Sequence, residues 1–170
     1  MILSFDDFYE DCPRYDLLFE LKIRIPQLKV NLFTILGKCS LEWIAKIKQI
    51  SWIDMIPHGW NHDGPECEFW TKQEALEYLD KIEPYELTKG FKAPGYRISN
   101  GTYDALLERG YWVADIESNN DRRPDGLLAY RNNTPERIQG HMGKLPDGLE
   151  EKFDYYASLT GDFLFIKDII

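Results

Sequence analysis

Ile2-Leu3-Ser4-Phe5-Asp6-Asp7-Phe8 opens the chain with an apolar run that stops on two adjacent carboxylates. The same form, an apolar run ending on a chemically useful side chain, returns at Trp52 to Pro57 before His58 and at Arg137-Ile138-Gln139-Gly140 before His141. Further apolar runs stand at Val30 to Leu36, Gly90 to Ala93, Tyr111 to Ile116 and Phe163 to Ile166, so seven strands are predicted. Between them Leu41 to Ile50, Thr71 to Ile82, Asn100 to Arg109 and Gly148 to Leu159 read as helices, each opening near a side chain able to cap it. Tyr15 to Ile25 adds a first crossover helix, stopped by Pro26. Strand and helix in alternation imply parallel pairing, hence an α/β fold that is either a barrel or an open sheet. The irregular stretch Glu117 to Pro135 is longer than a passive connector needs, and is expected to be a lid or a mobile insertion.

A length of 170 residues suits a single domain, 1–170. The net charge is −9, the isoelectric point is near 4.8, and no run of Lys or Arg exceeds Arg122-Arg123. That balance argues against nucleic acid and anionic membrane surfaces as partners. No apolar stretch approaches the roughly 20 residues of a membrane helix, and no basic-then-apolar leader opens the sequence. Cys12, Cys39 and Cys67 are odd in number and scattered, which fits reduced thiols, so a cytoplasmic location is expected.

Neighbours on a regular strand face opposite ways, so Asp6 and Asp7 can serve one site only where the strand gives way to a loop. His58 and His62 are four residues apart, a spacing that lets two imidazoles face one cation. Two neutral nitrogens and one carboxylate would leave coordination positions open, as Zn2+ or a similar divalent ion needs for catalysis. Cys67 is a competing thiolate candidate, ranked below Asp7 because Gly64-Pro65 intervenes.

Taken in order, Ser4-Phe5-Asp6-Asp7, His58-Gly59-Trp60-Asn61-His62, Phe91-Lys92-Ala93-Pro94-Gly95 and Gly140-His141 resemble the motifs of the polysaccharide deacetylase family, the NodB-homology or family 4 carbohydrate esterases. The resemblance implies a distorted barrel of about seven β/α units and a divalent metal, most simply Zn2+, with Co2+, Ni2+ or Fe2+ as alternatives. It implies removal of acetyl groups from N- or O-acetylated sugars. On this likeness Asp7, His58 and His62 would hold the metal, Asp6 would be the general base and His141 the general acid. Lys92 stands where the family usually has an arginine that orients the base, and supplies a point charge without a bidentate fork. Arg97 could compensate from the same loop. Trp112-Val113-Ala114-Asp115 loosely matches the fourth motif, which would make Asp115 the group that orients His141. Gly59 replaces a small hydroxyl residue and Gln139 an apolar one.

The activity implied is that of a metal-dependent deacetylase, with a backbone N–H of the Pro94-Gly95-Tyr96 turn holding the oxyanion. A catalytically silent relative that binds sugar or a partner in the same cleft is the alternative, and a closed structural zinc site a third.

Overall fold

Seven strands, all paired in parallel, are found among the described residues of this computed structural model, which are 1–131 and 136–170. They are β1 (Ile2–Phe8), β2 (Val30–Thr34), β3 (Ile53–Pro57), β4 (Gly90–Lys92), β5 (Trp112–Asp115), β6 (Ala129–Arg131) and β7 (Arg137–His141). The helices between them are α1 (Asp16–Arg24), α2 (Leu41–Ile47), α3 (Lys72–Ile82) and α4 (Asn100–Glu108), and α5 (Phe153–Ala157) follows β7. Their starts follow from local chemistry. Ser40 and Ser99 cap α2 and α4 by accepting the N–H groups of Trp43 and Thr102. Thr71 and Glu74 form a reciprocal capping box at α3.

Strand residues alternate between two packing environments. Leu3, Leu32, Met55, Phe91 and Val113 point outward into the larger core beneath the helices. Ile2, Phe33, Ile56, Trp112 and Ala114 point inward and share a smaller cluster with Tyr130 and Ile166. Period-two alternation of this kind is what a sheet curled around its own interior requires.

Among the described residues the curl does not close into one hydrogen-bonded barrel. The strands form a four-stranded sheet ordered β3-β2-β1-β7 and a three-stranded sheet ordered β4-β5-β6. Side chains bridge the two seams where a ladder was expected. Between β3 and β4, Asp54 accepts from Thr88 and from Lys167, both at 2.7 Å. Between β6 and β7, the Arg137 guanidinium lies 4.7 Å from the centre of the Tyr130 ring. The strands flanking the seams, β4 and β6, have three residues each, too few to sustain a second ladder of good register.

Two expected elements differ. Phe163 to Ile166 forms no strand: Leu164 N–H bonds to Met1 O, Ile166 N–H bonds to Asn31 Oδ1, and the buried Ile166 stops the N-terminal mouth of the inner cluster. In its place β6 arises inside the stretch expected to be irregular, preceded by a 3-10 helix over Glu117–Arg122, and 132–135 lie outside the described residues. The last helix begins at Phe153 instead of Gly148, because the chain from Gly143 to Gly148 folds back against His141.

Candidate metal centre and flanking acid–base groups

The inward-facing column of strand residues carries the chemistry. Asp6, Lys92, Gln139 and His141 share the parity of the inner cluster, and His58 follows directly on β3. Asp6 and His141 are register partners across the β1–β7 ladder. Asp7 belongs to this side only because β1 is irregular there. Its register with β2 shifts between Phe5 and Phe8, and Asp7 sits at φ 62°, in the left-handed region. A bulge of this kind re-aims a side chain that a regular strand would send outward.

Asp7, His58 and His62 converge, their ligand atoms all within 4.8 Å of one another. Asp7 Oδ1 is 3.3 Å from His62 Nε2 and 3.7 Å from His58 Nε2. His58 Nδ1 lies 2.9 Å from the Lys92 carbonyl, which can only accept, so Nδ1 carries the proton and Nε2 presents its lone pair to Asp7. Burial, outweighing the nearby Asp6 charge, brings the His58 pKa down to about 4, so the ring is neutral at ordinary pH. Asp7 Oδ1 is buried and has no hydrogen-bond donor among the described residues. A carboxylate oxygen left bare between two imidazole nitrogens is the donor set of a divalent cation, so the residues present fit such an ion. A cleft of about 220 Å3, lined by Asp7, Tyr9, Ile35, Lys38 and His62 among others, opens on the group from solvent.

Asp6 lies beside this group and is buried. Its Oδ2 is saturated: the Lys92 ammonium pairs with it, and Gln139 Nε2 donates to it at 3.1 Å. Its Oδ1 has no donor among the described residues. Burial pushes the Asp6 carboxyl up, but the Lys92, His58 and His141 charges and the Lys92 hydrogen bond outweigh it, and the net shift is downward. Lys92 is buried too, which brings its pKa down to about 8 against the pull of Asp6. The faces of Tyr96 and Phe33 lie 4.5 and 4.9 Å from its ammonium. Gln139 is itself oriented, since its Oε1 accepts from Tyr96 O–H at 2.7 Å and from Arg137 at 3.3 Å.

His141 stands 3.7 Å from Asp6 Oδ2 through Nε2, and Nδ1 is 2.9 Å from Asp147 Oδ1. The partner expected for it was Asp115, and this is corrected. Asp115 has the outward parity of Val113, and its carboxylate accepts from Tyr103 O–H, Asn119 Nδ2 and Ile116 N–H, with Arg123 at 3.6 Å. Asn119 in turn donates to Tyr96 O, so Asp115 braces the Pro94–Tyr96 turn from behind. The turn Pro146-Asp147-Gly148 is a legible loop signal, but nothing in the sequence says that the loop folds back on His141.

Arg97 does not compensate for Lys92. It is exposed and pairs with Glu68 at 3.3 Å. The second cation near Asp6 is Arg137, buried at the start of β7. Within the Pro94–Tyr96 turn, Tyr96 N–H bonds to Ala93 O and Arg97 N–H to Pro94 O, and Gly95 sits in the left-handed region at φ 59°. Cys67, the rival ligand, is fully buried, lies outside the three-membered group, and has its thiol pushed up by burial.

Solved structures share this architecture. A domain of a multidomain xylanase from the hindgut metagenome of Trinervitermes trinervoides superposes with a TM-score of 0.65 at 13% identity, over 98% of this chain and 87% of that one. The family 4 acetyl xylan esterase from Clostridium thermocellum, in complex with a cobalt ion, gives 0.62 at 14%, over 98% and 88%. The chain has the family 4 carbohydrate esterase fold. The T48 deacetylase, solved with substrate, gives 0.54 at 13%, over 97% and 86%. No protein-family model matches the sequence, and no curated protein does.

Proposed function

We propose that this chain is a divalent-metal-dependent hydrolase that removes acetyl groups from an acetylated sugar, with an N-acetylated amino sugar as the favoured substrate class. The observation that carries the reading is the bare, buried Asp7 Oδ1 between His58 and His62, with the unpartnered Asp6 Oδ1 next to it. The acetyl-xylan esterase and deacetylase activities in the names of the structural neighbours support the same class of reaction. A divalent ion held by Asp7, His58 and His62 supplies Lewis acidity, worth several kcal/mol at a developing oxyanion.

The chain's own groups do the rest. Asp6 Oδ1 accepts the proton of the attacking water, while Lys92 and Gln139 hold Oδ2 so that the free oxygen keeps its aim. Gly95 N–H donates to the oxyanion. His141, its ring fixed through Nδ1 by Asp147, delivers a proton from Nε2 to the departing nitrogen or oxygen.

Metal-reconstituted protein incubated with a panel of N- and O-acetylated sugars should show loss of one acetyl group by mass spectrometry. Bound metal without turnover on any of them would favour a silent sugar- or partner-binding module. In the same preparations, Asp7→Ala, His58→Ala or His62→Ala should each abolish stoichiometric zinc binding after dialysis. Full zinc content in His62→Ala would remove it from the ligand set.

A further inference from the structure

The loop His58-Gly59-Trp60-Asn61-His62 has an unusual shape to maintain. Gly59 and His62 are both in the left-handed region, at φ 71° and 61°. Residue 59 has no side chain to bond the loop's amides, and the loop contains no proline. Its carbonyls find partners elsewhere: Tyr78 O–H donates to Gly59 O, and Gly37 N–H donates to Trp60 O. Three successive N–H groups, of Trp60, Asn61 and His62, instead turn toward one another and form a concavity that attracts negative charge.

One carboxylate fills it. Glu66 Oε1 accepts from Trp60 N–H at 2.7 Å and from His62 N–H at 3.1 Å, and Oε2 accepts from Asn61 N–H at 3.3 Å. We propose that Glu66 is a positioning residue of the metal centre, holding the His62 imidazole in place by fixing the three amides that precede and include it. The role rests on reading Asp7, His58 and His62 as a metal site.

Two further observations support it. A Cβ at residue 59 would overlap Glu66 Oε1, so the carboxylate occupies the volume where a side chain on the loop would otherwise stand. Glycine at that position and glutamate at 66 are therefore one device. Glu66 is also anchored from behind. The adjacent Cys67 is fully buried, and its carbonyl accepts Ser99 N–H, at the N-cap of α4, at 3.0 Å. With both oxygens engaged by amides, Glu66 is a brace for the ligand loop and lies outside the group of ligand atoms.

The test is zinc affinity by chelator competition, read beside the urea midpoint of the metal-free protein. Glu66→Ala should weaken zinc binding about 10- to 100-fold, the usual cost of removing a group that orients a ligand. Glu66→Gln, which keeps acceptor capacity for Trp60 and His62, should recover part of that loss, and it carries the test if the alanine variant does not fold. Glu68→Ala, in the same turn but bonded to Arg97, should leave affinity unchanged. Gly59→Ala should weaken binding about as much as Glu66→Ala, and the double variant should be little worse than either single one. Wild-type binding with unchanged affinity in both Glu66 variants would overturn this role alone. No binding by wild type would overturn the metal reading, and this role with it.

Discussion

Asp6 shows how two oxygens of one carboxylate acquire different work. Oδ2 is tied to Lys92 and Gln139, and Oδ1 is left bare next to the candidate ligands. Asp6→Asn is therefore expected to keep full metal content while losing about 10^2–10^4 in turnover, since an amide cannot take up the water proton. His141→Ala should behave alike, more severely on amides than on esters, because an amine leaves poorly without a proton. Loss of metal in either variant, measured by atomic absorption, would make it a ligand or a structural residue instead. On the proposed reading of Asp6 as the base, Lys92 sets the pH at which it works. Burial alone would raise the Asp6 carboxyl, and Lys92 is the first of the charges that reverse this. The base acts ionised, so activity falls as pH drops through its pKa. Lys92→Ala should move that acidic limb of kcat/KM upward, and Lys92→Arg should leave it in place. Unchanged profiles in both would make Lys92 a bystander.

At the scale of the elements, the site is a matter of strand parity and two departures from it. Parity alone places Asp6, Lys92 and His141 on one side and sends Asp115 to the other. That distinction was present in Trp112-Val113-Ala114-Asp115, where Trp112 and Ala114 are the inward pair. The departures were not legible. A bulge that turns Asp7 inward depends on a left-handed φ at a residue for which composition gives no warning. The return of Asp147 to His141 depends on how the chain packs after β7. β6 escaped notice because three residues are too few to show a period. The packing after β7 can be tested at Gly140, where a Cβ would overlap Tyr156 Oη and come within 2.7 Å of Asp147 O. Tyr156 is buried and cannot retreat. Gly140→Ala should cost about 1–3 kcal/mol of stability in urea unfolding, and should lower turnover with metal retained. A neutral effect on both would mean that the Asp147 loop adapts freely.

Across the whole molecule, the alternation of strand and helix carried most of the architecture, and the motif pattern pointed to the three side chains that converge as candidate ligands. What they did not reveal is that, among the described residues, the curled sheet remains in two pieces, since the side-chain contacts across the seams, Arg137 with Tyr130 and Asp54 with Thr88, depend on tertiary packing. The division has a consequence for how the molecule comes apart. Among the described residues β7 is the outer strand of its sheet, paired along its length with β1 and bonded on the other side only at its end, where His141 exchanges backbone hydrogen bonds with Asp147 and Leu149, and it bears His141 and Gln139. The three candidate metal donors all belong to the first 62 residues, Asp7 on β1 itself and His58 and His62 in the loop that follows β3. An outer strand is a natural unit of partial opening, with a lower free energy than global unfolding. Amide exchange should therefore be faster along β7 than along β2, and in rising denaturant turnover should vanish before zinc is released. Simultaneous loss of both would show that the acid and the ligands unfold as one cooperative unit. If they separate, the protein passes through a state that still holds its metal but has no acid to complete the reaction, an idle holoprotein from which activity returns when a single strand docks again.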